Sequence, residues 1–341
     1  MEIISTASTR IDLAGGTLDI YPLYVFENRA VTVNIAIDLK SQVKINLRDD
    51  DRITIFSEDN DKKVEVENVN DLKNGHDLDL IVRTVKFYNP GIGMDITTKS
   101  VVPNGSGLGA SSSILMALSS ALNMIVQKTT DNNDIINWGA NLEAQTIAVP
   151  TGKQDYYAAI YGGINVIWFD VSGIRLEPVT LSKDNLKLLK ESLILSYTGI
   201  SHFSGNHNWD MMKLYIDKNK KTHESMKRIK DISFKMRDAL ICFDIEKIAY
   251  VLNLEWQNRK NLAKGITNRR IDMLMQKAHK AGAMASKICG AGGGGCMISV
   301  ADPYKRAEVI DALEENGAKV MDFNIDFEGL KINKLPFVNA V

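Results

Sequence analysis

Hydrophobic and polar positions alternate with a period of two through much of the first third of the chain. Val31–Ile37 reads V-T-V-N-I-A-I, the pattern of a half-buried strand. Gln42–Leu47 and Arg52–Phe56 repeat it on either side of Asp49-Asp50-Asp51, which predicts a hairpin. Ile3–Ala7 and Gly93–Thr98 are further strand candidates. Between these the period lengthens. Leu78, Ile81, Val82, Val85 and Tyr88 fall at helical spacing, and Asn89-Pro90-Gly91 ends that helix. Ile114, Leu115, Leu118, Ala121, Leu122 and Ile125 mark a second helix, and Asp131 is placed to cap a third that runs to Ile147. A short segment at Lys153–Tyr161, a Gly162-Gly163 turn and the strand I-N-V-I-W-F complete this region.

From about residue 183 helical spacing dominates. One strand, Leu193–Tyr197, precedes helical patterns that run to about Leu262 and again from Thr267 to Ala281. Lys287–Cys289 and Cys296–Val300 bracket a glycine run and suggest an α/β end. A soft boundary near 180–190 divides the chain into two units, 1–185 and 186–341.

Composition narrows the function classes. A length of 341 residues suits two domains, at roughly 100–200 residues each. With 41 basic against 42 acidic side chains, the net charge of -1 supplies no field for nucleic acid or an anionic membrane surface. No apolar run approaches the roughly 18–20 residues of a membrane span, and the first residues lack the layout of a signal peptide. Cys242, Cys289 and Cys296 are too scattered for a disulfide framework, and the histidines show no zinc spacing with them. The expectation is a soluble, cytoplasmic, globular protein with no nucleic-acid or membrane partner.

Three stretches carry chemistry. Pro103-Asn104-Gly105-Ser106-Gly107-Leu108-Gly109-Ala110-Ser111-Ser112-Ser113 lies between a strand and an apolar-striped helix. Its glycines allow close backbone approach, and a helix N-terminus offers unsatisfied N–H donors with partial positive charge, so the segment is built to cradle an anion. No lysine follows the glycines, which excludes a Walker loop, and their spacing departs from the dinucleotide fingerprint. Gly290-Ala291-Gly292-Gly293-Gly294-Gly295 sits between two apolar segments, where so much backbone entropy is lost only if the chain must pass close to something. Glu143 and Asp155 stand on either side of a Pro150 break, on separate elements that can converge on a metal ion and a hydroxyl, or lie apart as two surface carboxylates.

With T-A-S-T-R-I-D-L-A-G-G-T-L-D at residues 6–19, these stretches resemble, in order, the three motifs of the GHMP small-molecule kinases, the superfamily of galactokinase, homoserine kinase, mevalonate kinase and phosphomevalonate kinase. G-K-Q-D-Y-Y-A-A-I-Y-G-G-I-N, L-S-Y-T-G-I-S-H and L-N-L-E-W-Q-N-R-K look most like the heptose 7-phosphate kinase and galactokinase-like sugar kinase branch. The resemblance implies a two-domain α/β (α+β) fold. The N-terminal, ATP-binding domain (1–185) would be like ribosomal protein S5 domain 2, and the C-terminal domain (186–341) ferredoxin-like.

The resemblance also implies a small-molecule substrate, with ATP and Mg²⁺ as cofactors, and allows a homodimer. Nucleotide contacts fall on Pro103, Gly105, Ser106, Gly107, Leu108, Gly109, Ala110, Ser111 and Ser112, and on Gly292 and Gly293. Metal contacts fall on Ser111 and Glu143, with Ser112 as the fallback because Ala110 occupies the family's first serine position. Asp155 becomes the catalytic acid–base residue and Arg10 its basic partner. Gly16, Thr17, Asp19 and Gly199 are expected to meet substrate, and His202 and His207 either line its pocket or sit idle in a loop. Lys153 either tunes Asp155 or faces solvent. The motif A-G-G-T-L-D-I-Y-P and the turn F-E-N-R-A depart from heptose kinases where substrate is read, so mevalonate or a phosphomevalonate (for example mevalonate 3-phosphate, at its 5-hydroxyl) stays open as acceptor. A non-catalytic regulatory protein on the same fold is the alternative of another class.

Overall fold

A computed structural model describes residues 1–201 and 204–335. The chain opens with β1 (Glu2–Ala14), the short helix α1 (Leu23–Phe26) and the long strand β2 (Ala30–Leu47). The strands β3 (Ile53–Ser57) and β4 (Lys62–Val66) follow, then α2 (Asp79–Tyr88), β5 (Met94–Ser100), α3 (Ala110–Ile125), α4 (Asn132–Ile147) and α5 (Gln154–Tyr161). β6 (Ile164–Asp170) and β7 (Gly173–Val179) close this part. The remainder runs α6 (Lys183–Ser192), β8 (Leu193–Tyr197), α7 (Ser204–Ile216), α8 (Lys220–Ile241), α9 (Ile245–Arg259) and α10 (Arg269–Lys280). It ends with β9 (Ala283–Ile288), β10 (Cys296–Ala301), α11 (Arg306–Glu315), β11 (Lys319–Met321) and β12 (Lys331–Leu335).

Two sheets organise these elements. In the first the order is β12-β1-β2-β5-β3-β4, with β6 on β2 and β7 on β6; in the second it is β11-β8-β10-β9. The two strands expected to form a hairpin across Asp49–Asp51 do not pair. β5 lies between them, antiparallel to β2 and parallel to β3, while β3 forms its hairpin with β4. Alternation reports which face is buried and not which neighbour a strand takes, so this difference was invisible in the pattern.

The strand at 31–37 is also buried more deeply than a period of two implies. Val31, Val33, Ile35 and Ile37 join the core shared with β8–β10, α8 and α9, and Thr32 and Asn34 on the other face are fully buried too. Helix α5 covers that face, and Asn34 donates to the Gln154 carbonyl at 3.1 Å, so its polar group is satisfied rather than hydrated. The start of α5 is thereby pinned to the middle of the sheet. Asp131 caps α4 as the sequence indicates, accepting from the Asp134 N–H at 2.9 Å.

The end of the chain returns to its beginning. β12 pairs antiparallel with β1, so residues 331–335 belong to the first sheet although they follow the second one in sequence. Asp326 anchors this return, accepting from Ser8 and pairing with Lys40 at 3.0 Å.

Candidate functional site

A cavity of about 370 Å³ opens where β1, the 103–109 loop, the N-termini of α3 and α5, and the 290–295 glycine run meet. The 103–109 loop is fixed to β1 by the Arg10 N–H, which donates to the Leu108 carbonyl at 2.9 Å. Ser113 then ties the first turn of α3 to the Ala7 carbonyl at 2.8 Å. Gly107 and Gly109 hold φ values of +73° and +78°, which L side chains rarely adopt. A Cβ on Gly107 would stand 2.5 Å from the Cys289 carbonyl oxygen, and one on Gly109 would stand 2.9 Å from Asp155 Oδ2. The close approach foreseen for both glycine runs is thus in part an approach to each other. The Cys296 N–H donates to the Ser106 carbonyl at 2.6 Å across the same seam.

Asp155, in the first turn of α5, faces Arg10 on β1. Arg10 Nε lies 2.7 Å from Asp155 Oδ1, and Nη1 donates to the Gly107 carbonyl at 2.5 Å. The guanidinium therefore connects the carboxylate to the glycine loop, and Asp155 keeps 21% side-chain exposure toward the cavity. Burial raises the Asp155 pKa against the opposing pull of Arg10.

Glu143 on α4 lies on the other wall of the cavity. Its Oε1 accepts from Ser111 at 2.9 Å, and Oε2 accepts from Ser112 at 3.2 Å, from Thr151 at 3.5 Å and from the buried Tyr156 hydroxyl. Burial raises its pKa while these hydroxyls pull it down. No cationic side chain among the described residues pairs with it, a combination that fits a cation as its counter-charge. One carboxylate with serine hydroxyls is also the hard oxygen set that Mg²⁺ takes when substrate phosphates and water complete its shell. No group of three or more His, Cys, Asp or Glu among the described residues forms a closed metal cage. Ser111 is open to the cavity, whereas Ser112 is 4% exposed.

At the opposite end the turn after β1 brings Gly16, Thr17 and Asp19 to the wall. Asp19 Oδ2 accepts from the Gln154 N–H at 2.9 Å, at the start of α5. The side chain is 1% exposed, and burial pushes its pKa up to about 6 despite that hydrogen bond. Gly152 must stay bare here, because a Cβ would lie 2.2 Å from Asp19 Oδ2.

Arg10, Gly16, Thr17, Asp19, Gly105–Gly107, Gly109–Ser112, Glu143, Asp155 and Gly292 line one cavity. Other expected residues lie outside its wall. Leu108 is buried in the core, the Pro103 carbonyl accepts from the Ser106 N–H, and the Gly293 N–H donates to Ile266. Gly199 is exposed at the end of β8 and does not line the cavity. Of the two histidines, His202 lies outside the described residues. His207 sits beside Gly265, and Asn208 reaches the wall in its place. Lys153 turns away from Asp155 and donates to Asn137 at 2.7 Å.

The structure adds residues that the motifs did not single out. Asp12 and Lys287 form a fully buried pair at 2.6 Å, and Glu255 and Arg259 another at 2.6 Å. Their signal was present as charged residues inside apolar strand and helix patterns, L-N-L-E-W-Q-N-R among them. Charges in such positions are almost never fully buried unless paired.

Comparison with known proteins agrees along the chain. Residues 79–163 match the N terminal domain of the GHMP kinases, and residues 236–319 match the GHMP kinases C terminal model. The D-glycero-alpha-D-manno-heptose 7-phosphate kinase of Campylobacter jejuni is 28% identical over 328 residues, spanning 94% of this chain and 96% of that one. The mevalonate kinase of Pyrococcus furiosus is 25% identical over 264 residues, spanning 76% and 74%. The crystal structure of a D-glycero-D-manno-heptose 1-phosphate kinase from Bacteroides thetaiotaomicron superposes with a TM-score of 0.79 at 24% identity, covering 98% of this chain and all of that one.

Proposed function

The chain belongs to the GHMP kinases, phosphotransferases with an alcohol group as acceptor, and from that premise we propose that it transfers the γ-phosphate of Mg-ATP to a hydroxyl of a sugar phosphate of the heptose phosphate type. The observation that carries this reading is the position of Asp155. Its carboxylate stands 2.7 Å from Arg10, between the 105–112 cradle and the Asp19 turn, where an acceptor hydroxyl and a terminal phosphate would meet.

Phosphoryl transfer makes few covalent demands on a protein, so alignment and charge stabilisation decide the rate. The glycine loop and the first turn of α3 present backbone N–H groups to the phosphates. Ser111 and Glu143 would hold Mg²⁺, which screens the charge of the β- and γ-phosphates when bound. Asp155 accepts the proton of the attacking hydroxyl as the oxygen–phosphorus bond forms and ADP leaves. Its raised pKa brings it nearer the pH at which it works. Arg10 keeps the carboxylate oriented and offsets charge at the loop. Asp19, whose Oδ2 is occupied by the α5 backbone, would meet an acceptor hydroxyl through its other oxygen.

Support for a sugar phosphate comes from the heptose 7-phosphate kinase relative, which aligns over nearly the whole of both chains. The test is ADP release with Mg-ATP against heptose phosphates, free sugars, mevalonate and its monophosphates. Turnover on heptose phosphate that disappears in Asp155→Asn, with nucleotide binding retained, is the expected result. A positioned base of this type contributes roughly 10²–10⁴-fold. Turnover only on a mevalonate compound would overturn the sugar assignment and keep the kinase. Nucleotide binding with no turnover on any acceptor would favour the regulatory protein.

A further inference from the structure

Two ion pairs with no solvent exposure lie behind the cavity, and the proposed chemistry uses neither. Arg259 at the end of α9 is held by Glu255 one turn earlier, through Nε at 2.9 Å and Nη2 at 2.6 Å. The rest of its fork leaves the helix. Nη2 donates to the Gly16 carbonyl at 2.8 Å, and Nη1 reaches Thr17 Oγ1 at 3.3 Å and the Gly290 carbonyl at 3.5 Å. One guanidinium thus bridges the turn that carries Asp19 to the first residue of the other glycine run.

Both ends of that bridge need holding. Thr17 has φ +79°, a left-handed conformation that is a genuine outlier for a β-branched residue. The turn's own backbone hydrogen bonds, from Leu18 to Gly15 and from Ile20 to Thr17, are both 3.2 Å. At the other end Gly290 is gripped from two sides, because its N–H donates to Asp12 Oδ1 at 2.9 Å while its carbonyl faces Arg259. Lys287 fixes Asp12 through Oδ2.

We propose that Arg259 is a positioning residue that couples the two halves of the site: fixed by Glu255, its fork holds the strained Gly15–Thr17 turn and ties it to Gly290, so that ordering either loop orders the other. Coupling of this kind is reciprocal, and a nucleotide that closes the 290–295 run then raises affinity for the acceptor. The clamp itself rests on geometry, and only the labels nucleotide and acceptor rest on the kinase reading.

Arg259→Lys keeps the charge beside Glu255 but has no planar fork to span three partners. Hydrogen–deuterium exchange is measured on peptides covering residues 13–20, 103–112 and 286–297. In the ligand-free protein the variant should exchange about tenfold faster over 13–20, within the range of ordinary couplings, while β2 amides are unchanged. Mg²⁺ with a non-hydrolysable ATP analogue should protect 13–20 in the parent protein and not in the variant, with 103–112 protected in both. In kinetics, KM for heptose 7-phosphate at saturating Mg-ATP should rise by about the same factor, while affinity for the ATP analogue measured without acceptor should stay put, since reciprocal coupling acts only when both ligands are present. A purely structural lesion would not separate the two constants. Thr17→Ala, which removes the hydroxyl that meets Nη1 and Met211 Sδ and leaves the Gly16 and Gly290 contacts of Arg259, should move 13–20 in the same direction by less, and it serves if Arg259→Lys does not fold. Equal exchange over 13–20 in the parent and both variants would overturn the clamp. Absence of nucleotide protection in the parent protein would overturn the kinase reading, and the ligand-free comparison would still decide the clamp.

Discussion

Asp19 is placed where function and stability should conflict. It is 1% exposed, and its pKa rises from the usual 3.8 to about 6 with desolvation as the largest cause. Below the unfolded value both states hold the proton and Asp19 contributes no difference. Between 3.8 and 6 the unfolded chain releases it first, so stability falls as pH rises, and above 6 the full cost of the buried charge is present. At 1.36 kcal/mol per pKa unit the full cost is about 3 kcal/mol, of which about 2 kcal/mol develops between pH 4.5 and pH 8.

Asp19→Asn removes that titration and keeps an oxygen for the Gln154 N–H. Urea unfolding of both proteins at pH 4.5 and pH 8 isolates the effect, because all other ionisations are shared. The variant should gain about 2 kcal/mol relative to the parent on going from the lower to the higher pH, and lose acceptor affinity. A stability difference that stays constant with pH would refute the account of Asp19 as a buried, costly carboxylate.

Three further outcomes follow from the same geometry. Gly107→Ala places a Cβ 2.5 Å from the Cys289 carbonyl at a φ of +73°, so nucleotide affinity measured by calorimetry should fall by at least about tenfold, and unchanged affinity would contradict the close loop packing. Ser111→Ala should raise the Mg²⁺ concentration needed for half-maximal activity more than Ser112→Ala does, since Ser111 opens to the cavity; the reverse order would assign the metal hydroxyl to Ser112. Lys287→Met leaves Asp12 buried without its partner and should cost roughly 3–5 kcal/mol in chemical denaturation at neutral pH. Against burial, which raises it, Lys287 with Arg259 and Arg10 holds the Asp12 pKa down at about 2, so the stabilisation is present above the unfolded pKa of 3.8 and is lost as pH falls from there through about 2; a deficit that does not shrink in acid would count against the pair.

The amino-acid sequence by itself determined the local architecture and most of the cavity wall. Gly105–Ser112 reads as a candidate cradle because bare backbone and helix-terminal N–H groups are local properties, and Arg10, Asp19, Glu143 and Asp155, singled out by motif order, line the same cavity. Only the tertiary structure decided what depends on neighbours. β5 separates β2 from β3, and β12 returns to the first sheet, because strand alternation carries no information about pairing partners. It also decided that Gly199 stays outside the cavity while Asn208 lines it. Above all it decided the fate of four charges read as parts of strands and a helix. Asp12 and Lys287 stand 275 positions apart, and Arg259, paired with Glu255 one turn away, meets the Gly16 carbonyl 243 positions away. They become a dry framework because these distant segments meet where water is excluded, and no short window of sequence contains both sides of those contacts.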